Sequence, residues 1–493
     1  MQTKKNETAS GLLMPLPKHV EQKDGAFRLH MGTTISYDPI FGEVVELARE
    51  QLACNIGGED ILFKLVEGFG EDCYRLKVGK NQIVVSSTYP SGGFRALQTL
   101  RQMALANDNL IPCCLIEDEP AFPWRGFMLD CSRHFFSVAF IKKLIDVASM
   151  HHLNRFHWHL TDDQGWRLTV EGYERLEEVA SKRTLLSYTD GRTYGGVYTD
   201  EEILEVQAYA HKRHMLVVPE IETPGHASAL LSAYPTFGCT GGPYEVQDRW
   251  GIFDEVMCAG NDNLLQFLQE VITKTARLFS DPYIHIGGDE CPHTAWETCP
   301  KCRQRMEEQG LASVKELQSW MTSQVCTMVE KAGKRPIGWD EVLEGTEKLG
   351  IPSSLIVMSW RGDAGGIEAS SLGHDVIMCP NTAGCYFDYK HLPSFDEPGN
   401  IGVTTIEKTA QFSPIPKGIS KEAQCRILGG QGNLWTEKVT SAKAAEYMFF
   451  PRLSVMAERL WNPQPFASVE ERRPSLEKKL TRLDINLYRG ASV

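Results

Sequence analysis

Residues 283–296 read YIHIGGDECPHTAW. The apolar run Tyr283-Ile284-His285-Ile286 has the length and composition of a short buried strand. It meets two glycines and then two adjacent acids, Asp289 and Glu290. Neighbouring like charges repel, so a strand end is a poor place for both unless the site beyond it requires them. The arrangement strand, polar loop, helix recurs on either side. Strands are predicted at 126–129, 155–159, 216–220, 336–339, 355–359, 375–378 and 427–430, and helical patterns follow several of them, at 138–151, 200–213, 262–279, 314–332 and 440–459. With 283–286 this makes eight strands with crossovers, the pattern of an α/β chain closed as a (β/α)8 barrel. The crossover between the fifth and sixth strands is doubtful, because 341–354 is short and holds Gly350 and Pro352.

The residues before the barrel read differently. Ile83–Ser86 looks like a strand, and Gly92 through Asn107 like an amphipathic helix with Leu97, Leu100 and Met103 on one side. The stretch IEDEPAFPW (116–124), acidic and with two prolines, marks a junction. The expectation is a smaller α/β domain at 1–119, then a barrel domain with a C-terminal helical tail at 120–493.

A chain of 493 residues, 42% hydrophobic and 23% charged, is ordinary globular protein with ample length for a large core. Its net charge of -13 argues against a nucleic-acid or anionic-membrane partner. No apolar run reaches the length of a membrane span. The segment MQTKKNETASGLLMPLP (1–17) starts basic, but its apolar stretch is too short for a secretory signal. Together with 14 scattered cysteines, read as reduced thiols, this favours the cytosol, unless a signal was removed before this numbering begins. Cys291, His293, Cys299 and Cys302 lie close in sequence and include a C-x-x-C that could ligate zinc; packed thiols are the plainer reading, and no metal or cofactor is expected.

Barrels of this kind put their active sites at the C-terminal ends of the strands. Here those ends carry Asp130 and Arg133; His159, Asp162 and Asp163; Glu220, Glu222 and His226; Asp289 and Glu290; Trp339 and Asp340; Trp360 and Arg361; Tyr386 and Asp388; Trp435 and Glu437. Any one could be a loop charge or a core aromatic, but so many together predict a shared pocket. Carboxylates accept from sugar hydroxyls, and indole faces stack on the C–H face of a pyranose. There is no phosphate-binding glycine loop after the first strands and no G-x-S-x-G elbow. Neighbours in an extended segment point to opposite sides. Asp289 and Glu290 are therefore expected to touch different parts of one sugar: one protonates the leaving oxygen, the other holds a substituent that serves as nucleophile.

YIHIGGDE (283–290) resembles the signature of the β-N-acetylhexosaminidases of glycoside hydrolase family 20. DCSRHF (130–135), HWHLTDDQGWR (157–167), PEIETPGH (219–226), GWDE (338–341), SWRG (359–362), YFDY (386–389) and NLWTE (433–437) resemble further strand-end motifs of that family, in order. YPSGGFRALQTLRQM (89–103) is similar to part of its preceding α/β domain. The resemblance implies exo-acting, retaining hydrolysis of terminal β-linked GlcNAc or GalNAc, in which the substrate's own acetamide attacks C1 and forms an oxazolinium ion. It implies Glu290 as general acid and then base, Asp289 as the group that orients the acetamide, and Tyr386 as donor to the acetamide oxygen. Trp339, Trp360 and Trp435 would wall the acetamide pocket. Arg133, Asp388 and Glu437 would bind ring hydroxyls, and Asp162 and His226 would support Glu290 from behind. The implied partner is an oligosaccharide, glycan or glycolipid. His157 and His159 are read as barrel-layer or hydrogen-bonding support. One departure is Glu222-Thr223, where the family usually has Asp-Met; the longer carboxylate is expected to shift the surroundings of His226. Two alternatives stay open: a relative that releases disaccharides or modified amino sugars, and a sugar-binding barrel without activity.

Overall fold

Burial alternates along the early strands: Tyr74–Val78 and Ile83–Ser87 bury every second side chain against a common core. In the computed structural model, which describes residues 8–184, 193–346, 349–393 and 396–490, these strands belong to one mixed sheet. The basic start at 1–7 lies outside the described residues. The sheet order is His19–Arg28, Leu110–Asp118, Tyr74–Val78, Ile83–Ser87, Ile61–Leu65, Thr34–Tyr37, Asn55–Ile56. The first three pairings are antiparallel and the last three parallel.

The helix Pro90–Ala106 opens with proline at its first turn, where the missing N–H costs nothing. It is buried nearly all round, because it lies between this sheet and the barrel helix Val138–Met150. Its amphipathic pattern understates that burial. Polar residues on it are enclosed too, and each has a partner: Gln102 donates to the Met150 carbonyl at 2.8 Å, and Arg95 Nε donates to Asp72 at 3.0 Å. Arg125, from the first barrel strand, pairs with the same Asp72. Burial disfavours charge on Asp72, but the two guanidiniums outweigh it and hold the carboxyl below the usual carboxylate range.

Eight parallel strands close the barrel: Trp124–Asp130 (β1), Arg155–His159 (β2), Leu216–Thr223 (β3), Tyr283–Gly287 (β4), Arg335–Trp339 (β5), Ile356–Ser359 (β6), Val376–Met378 (β7) and Ile427–Leu434 (β8). Each overlaps a predicted segment. Only the short 3-10 turn Asp340–Leu343 separates β5 from β6 among the described residues, as the glycine and proline of that stretch suggested. The pattern at 440–459 forms two helices, Ala442–Phe449 and Arg452–Trp461, because Pro451 lacks the N–H to continue the first. After them the helix Phe466–Arg482 returns to the first domain. Trp461 packs into the core of the mixed sheet and its indole donates to Asp118 at 3.0 Å, while Lys479 Nζ reaches the Leu12 carbonyl at 2.7 Å. No described helix is long and apolar enough to cross a membrane.

The barrel interior is partly polar. Glu220 on β3 is fully buried and gathers His157 Nε2 and His285 Nδ1, each at 2.9 Å, the Trp339 indole N–H at 2.7 Å, and His159 Nδ1. His157 and His159 thus act as both layer and support.

Candidate active site

β4 ends at Gly287, and Gly288 follows it, with φ of 70° and 105°. A Cβ on Gly287 would lie 1.8 Å from Glu222 Oε2, and one on Gly288 would lie 2.6 Å from Val342. Only glycine fits this turn. The turn corrects one expectation: Asp289 and Glu290 do not alternate as in a strand. Glu290 has φ +46°, and both carboxylates come round to the same side, each with an oxygen 3.6 Å from His226 Nε2. His226 is itself left-handed, at φ +48°. Two non-glycine residues in this region face each other, each storing strain of roughly 1–3 kcal/mol, as functional sites often do.

Behind His226 runs a chain of charges. Its Nδ1 lies 3.0 Å from Asp163 and 3.4 Å from Asp162. Asp162 is also held by Arg133 Nη1 at 2.7 Å and His159 Nε2 at 2.9 Å. Burial works against a charged imidazole, but the carboxylates around it outweigh that and raise the His226 pKa well above its ordinary value. Glu290 shifts upward as well: burial comes first, then the charge of Asp289, with His226 and Arg133 opposing. A proton therefore stays on Glu290 to higher pH than on an ordinary glutamate. Asp162, expected with His226 directly behind Glu290, instead lies one step further back, against His226 and outside the cavity lining. Asp163 was noted only as a strand-end acid, yet it fixes the turn by accepting from the Ser228 backbone and hydroxyl at 2.9 and 2.7 Å.

The ten other predicted residues line one cavity of about 160 Å³: Arg133, His226, Asp289, Glu290, Trp339, Trp360, Tyr386, Asp388, Trp435 and Glu437. Trp360 and Tyr386 stand parallel, with centroids 6.1 Å apart, and Trp339 and Trp435 lie at 5.8 Å. Trp339 is anchored through its indole to Glu220, and Arg133 lies over the face of Trp435 at 5.1 Å. Asp289 Oδ1, Asp388 Oδ1 and Glu437 Oε2 are buried oxygens with no hydrogen-bond partner among the described residues. Such acceptors are costly unless a ligand meets them.

Three neighbours were not singled out from sequence. Tyr389, although inside the YFDY stretch, lines the cavity, and so does Asn400. Asn400 donates to Asp388 Oδ2 at 3.0 Å from a small ladder outside the barrel, a placement that no local pattern announces. Burial, with the Glu437 charge behind it, pushes Asp388 up to about 7. Glu341, inside the quoted GWDE, accepts from the Trp360 indole at 2.9 Å; burial, then Asp289 and Asp340, push it up to about 9, so at neutral pH it is an uncharged acid.

Glu222 makes no hydrogen bond to His226; its nearest basic atom is His159 Nδ1 at 3.9 Å. Burial and the charges of Asp289 and Glu220 drive its pKa far up. The considered zinc set is also corrected. His293 donates or accepts at Gln318 (2.7 Å) and stacks on Trp296, and neither it nor Cys291 joins Cys299 and Cys302. Those two instead meet Cys239 and Cys258.

Residues 122–464 match the model of "Glycosyl hydrolase family 20, catalytic domain", and residues 12–119 match "Glycosyl hydrolase family 20, domain 2". The chain is 38% identical over 499 aligned positions to a β-hexosaminidase of Porphyromonas gingivalis, covering 96% of this chain but only 63% of that longer protein. It superposes on the exo-β-N-acetylglucosaminidase of Vibrio harveyi in complex with N-acetylglucosamine with a TM-score of 0.88 at 29% identity, covering 99% of this chain and 80% of the other. A β-hexosaminidase of Streptomyces plicatus in complex with product GlcNAc gives 0.87 at 28%, covering 100% and 99%. With the barrel, the preceding sheet domain and the strand-end carboxylates all in place, this chain belongs to glycosyl hydrolase family 20.

Proposed function

We propose that the chain is an exo-acting, retaining β-N-acetylhexosaminidase that removes terminal β-linked GlcNAc or GalNAc from an oligosaccharide, glycan or glycolipid. The observation that carries this reading is the shared cavity, in which Glu290 and Asp289 present oxygens within 4.8 Å of each other beside a wall of indoles. Retention follows if the substrate's acetamide attacks C1 first and water then displaces it, since two inversions at C1 restore the original configuration. The aromatic wall beside Asp289 favours the substrate's acetamide, rather than the carboxylate, as nucleophile.

The steps follow from the residues. The acetamide oxygen attacks C1 while Glu290 gives its proton to the glycosidic oxygen, and the aglycone leaves as an alcohol. Positive charge develops on the acetamide, and the Asp289 carboxylate accepts from its N–H and stabilises that charge. The Tyr386 hydroxyl donates to the acetamide oxygen. Water then attacks C1, returning a proton to Glu290 as the ring opens. Arg133, Asp388 and Glu437 hold the ring hydroxyls, and the unpartnered Asp388 and Glu437 oxygens are the acceptors those hydroxyls need. Asn400 and Tyr389 close the side near Asp388, which favours a single terminal sugar over a disaccharide. The test is hydrolysis of nitrophenyl β-N-acetylglucosaminide, its galacto epimer and the matching β-glucoside. Turnover of the first two with none of the third is expected; equal turnover of the glucoside would refute acetamide participation.

A further inference from the structure

Away from the sugar cavity, four cysteines from two loops converge. Cys239 and Cys258 belong to the connection between β3 and the helix Asp262–Leu278, the connection that begins at His226. Cys299 and Cys302 follow β4, beyond Glu290. The sulfur separations are 3.8 Å for Cys239–Cys302, 3.7 Å for Cys258–Cys299 and 3.6 Å for Cys258–Cys302, and all four sulfurs lie within 4.8 Å of one another. Four sulfurs placed tetrahedrally about 2.3 Å from a zinc ion stand roughly 3.8 Å apart. A disulfide would join sulfurs in pairs at about 2.05 Å, whereas here Cys258 has two equidistant neighbours.

The surroundings suit thiolates. Gly260, two residues after Cys258, packs directly against the main chain of Lys301 and Cys302. A Cβ on Gly260 would lie 2.2 Å from the Lys301 backbone, so the two loops meet there main chain to main chain. Cys299 is the N-cap of the ten-residue helix Pro300–Gln309 and Cys302 sits in its first turn, where the helix dipole favours negative sulfur. Cys258, Cys299 and Cys302 are buried and Cys239 is half-buried.

We infer that Cys239, Cys258, Cys299 and Cys302 form a tetrathiolate zinc site that staples the loop after β3 to the loop after β4. With four protein ligands it has no open position, which marks it as structural and not part of the reaction. The stapled loops are those that bring His226 and Glu290 together. A bond from the Trp296 indole to the Met257 carbonyl, 2.9 Å, already ties them beside Cys258.

The experiment is elemental analysis of the full chain purified under reducing conditions without chelator, with cobalt loaded into apo protein. About one zinc per chain is expected, with the sulfur-to-cobalt charge-transfer and red d–d bands of a tetrahedral tetrathiolate. C239S and C302S should lose the metal and melt earlier; C291S and H293A should retain it. The stoichiometry and the cobalt spectrum are read on the unsubstituted protein, so they stand even if a variant fails to fold. Protein without zinc, iron in its place, disulfides among the four in unreduced peptide maps, or full metal retained by C239S and C302S would each overturn the assignment.

Discussion

Replacing Glu290 by Gln removes an acidic proton and almost nothing else. The amide has the same volume, and it sits at the same φ of +46°, so strain is common to both. The structure sets what is lost. Glu290 is two-thirds enclosed, its proton affinity is raised by burial and by Asp289, and His226 stands 3.6 Å away. General acid–base catalysis contributes roughly 10²–10⁴ in rate, which at about 1.36 kcal/mol per decade is roughly 2.7–5.4 kcal/mol of barrier. The assay compares kcat/KM of wild type and E290Q on an unactivated GlcNAc disaccharide and on a dinitrophenyl glycoside. The disaccharide should lose the whole factor; the activated glycoside, whose leaving group needs no proton, should lose at least about tenfold less in kcat/KM. The pH profile adds a sign. A general acid must be protonated, so wild-type activity falls as pH rises through the elevated Glu290 pKa, and that basic limb should vanish in E290Q. Asp388, pushed up to about 7, is a second cavity acid that titrates, so the limb is assigned by its loss in the variant and not by its position. Near-normal turnover of the disaccharide, or an unchanged basic limb in E290Q, would refute the assignment.

A thiazoline made from GlcNAc mimics the oxazolinium ion and should bind wild type tighter than GlcNAc by a factor within roughly 10²–10⁸; D289N should forfeit most of that advantage, and a stable 2-fluoroglycosyl adduct on Asp289, seen by mass spectrometry, would instead make the carboxylate the nucleophile. Trp435 lines the cavity and is only partly buried, so W435A should weaken GlcNAc binding more than it lowers the melting temperature; a loss of roughly 3–5 kcal/mol in stability with unchanged affinity would make it a core residue. D72N breaks the ion pairs with Arg95 and Arg125 and should cost roughly 3–5 kcal/mol in denaturant unfolding at neutral pH. Because the folded Asp72 pKa is depressed, that stabilisation is complete above the unfolded value near 3.9 and fades as pH falls through the folded one, so the gap between wild type and D72N should narrow below about pH 4; a gap that stays constant there would contradict it.

The barrel was legible because each strand is a short apolar run ended by a polar loop, and that punctuation survives in one dimension. Ten site residues were legible for the same reason: they sit at strand ends, within motifs. What escaped was long-range geometry. Asn400 reaches Asp388 from a ladder that belongs to no barrel strand. Glu341 was quoted but not read, because its environment, and not its identity, makes it a neutral acid. The Asp289-Glu290 pair misled through its strand-like prefix; the positive φ at Glu290 follows from a double-glycine turn, which alternation does not describe. The cysteine cluster was half visible, as C-x-x-C, and its other half comes from a loop far upstream.

The return of the helix Phe466–Arg482 to the first domain constrains the order in which the molecule can be made. Asp118 closes the mixed sheet, but Trp461, which completes the core beneath that sheet, lies 343 residues later. Lys479, which holds the Leu12 carbonyl, comes later still. At ribosomal rates of about 5–20 residues per second, roughly 17–70 s separate synthesis of Asp118 from that of Trp461. Throughout that interval the nascent sheet domain lacks its indole and its closing helix, and apolar positions such as Leu97, Leu100 and Ile116 have an incomplete cover. The first domain to emerge is thus among the last to be finished, and holdase chaperones have their longest opportunity on the smaller of the two domains, the one that precedes the barrel.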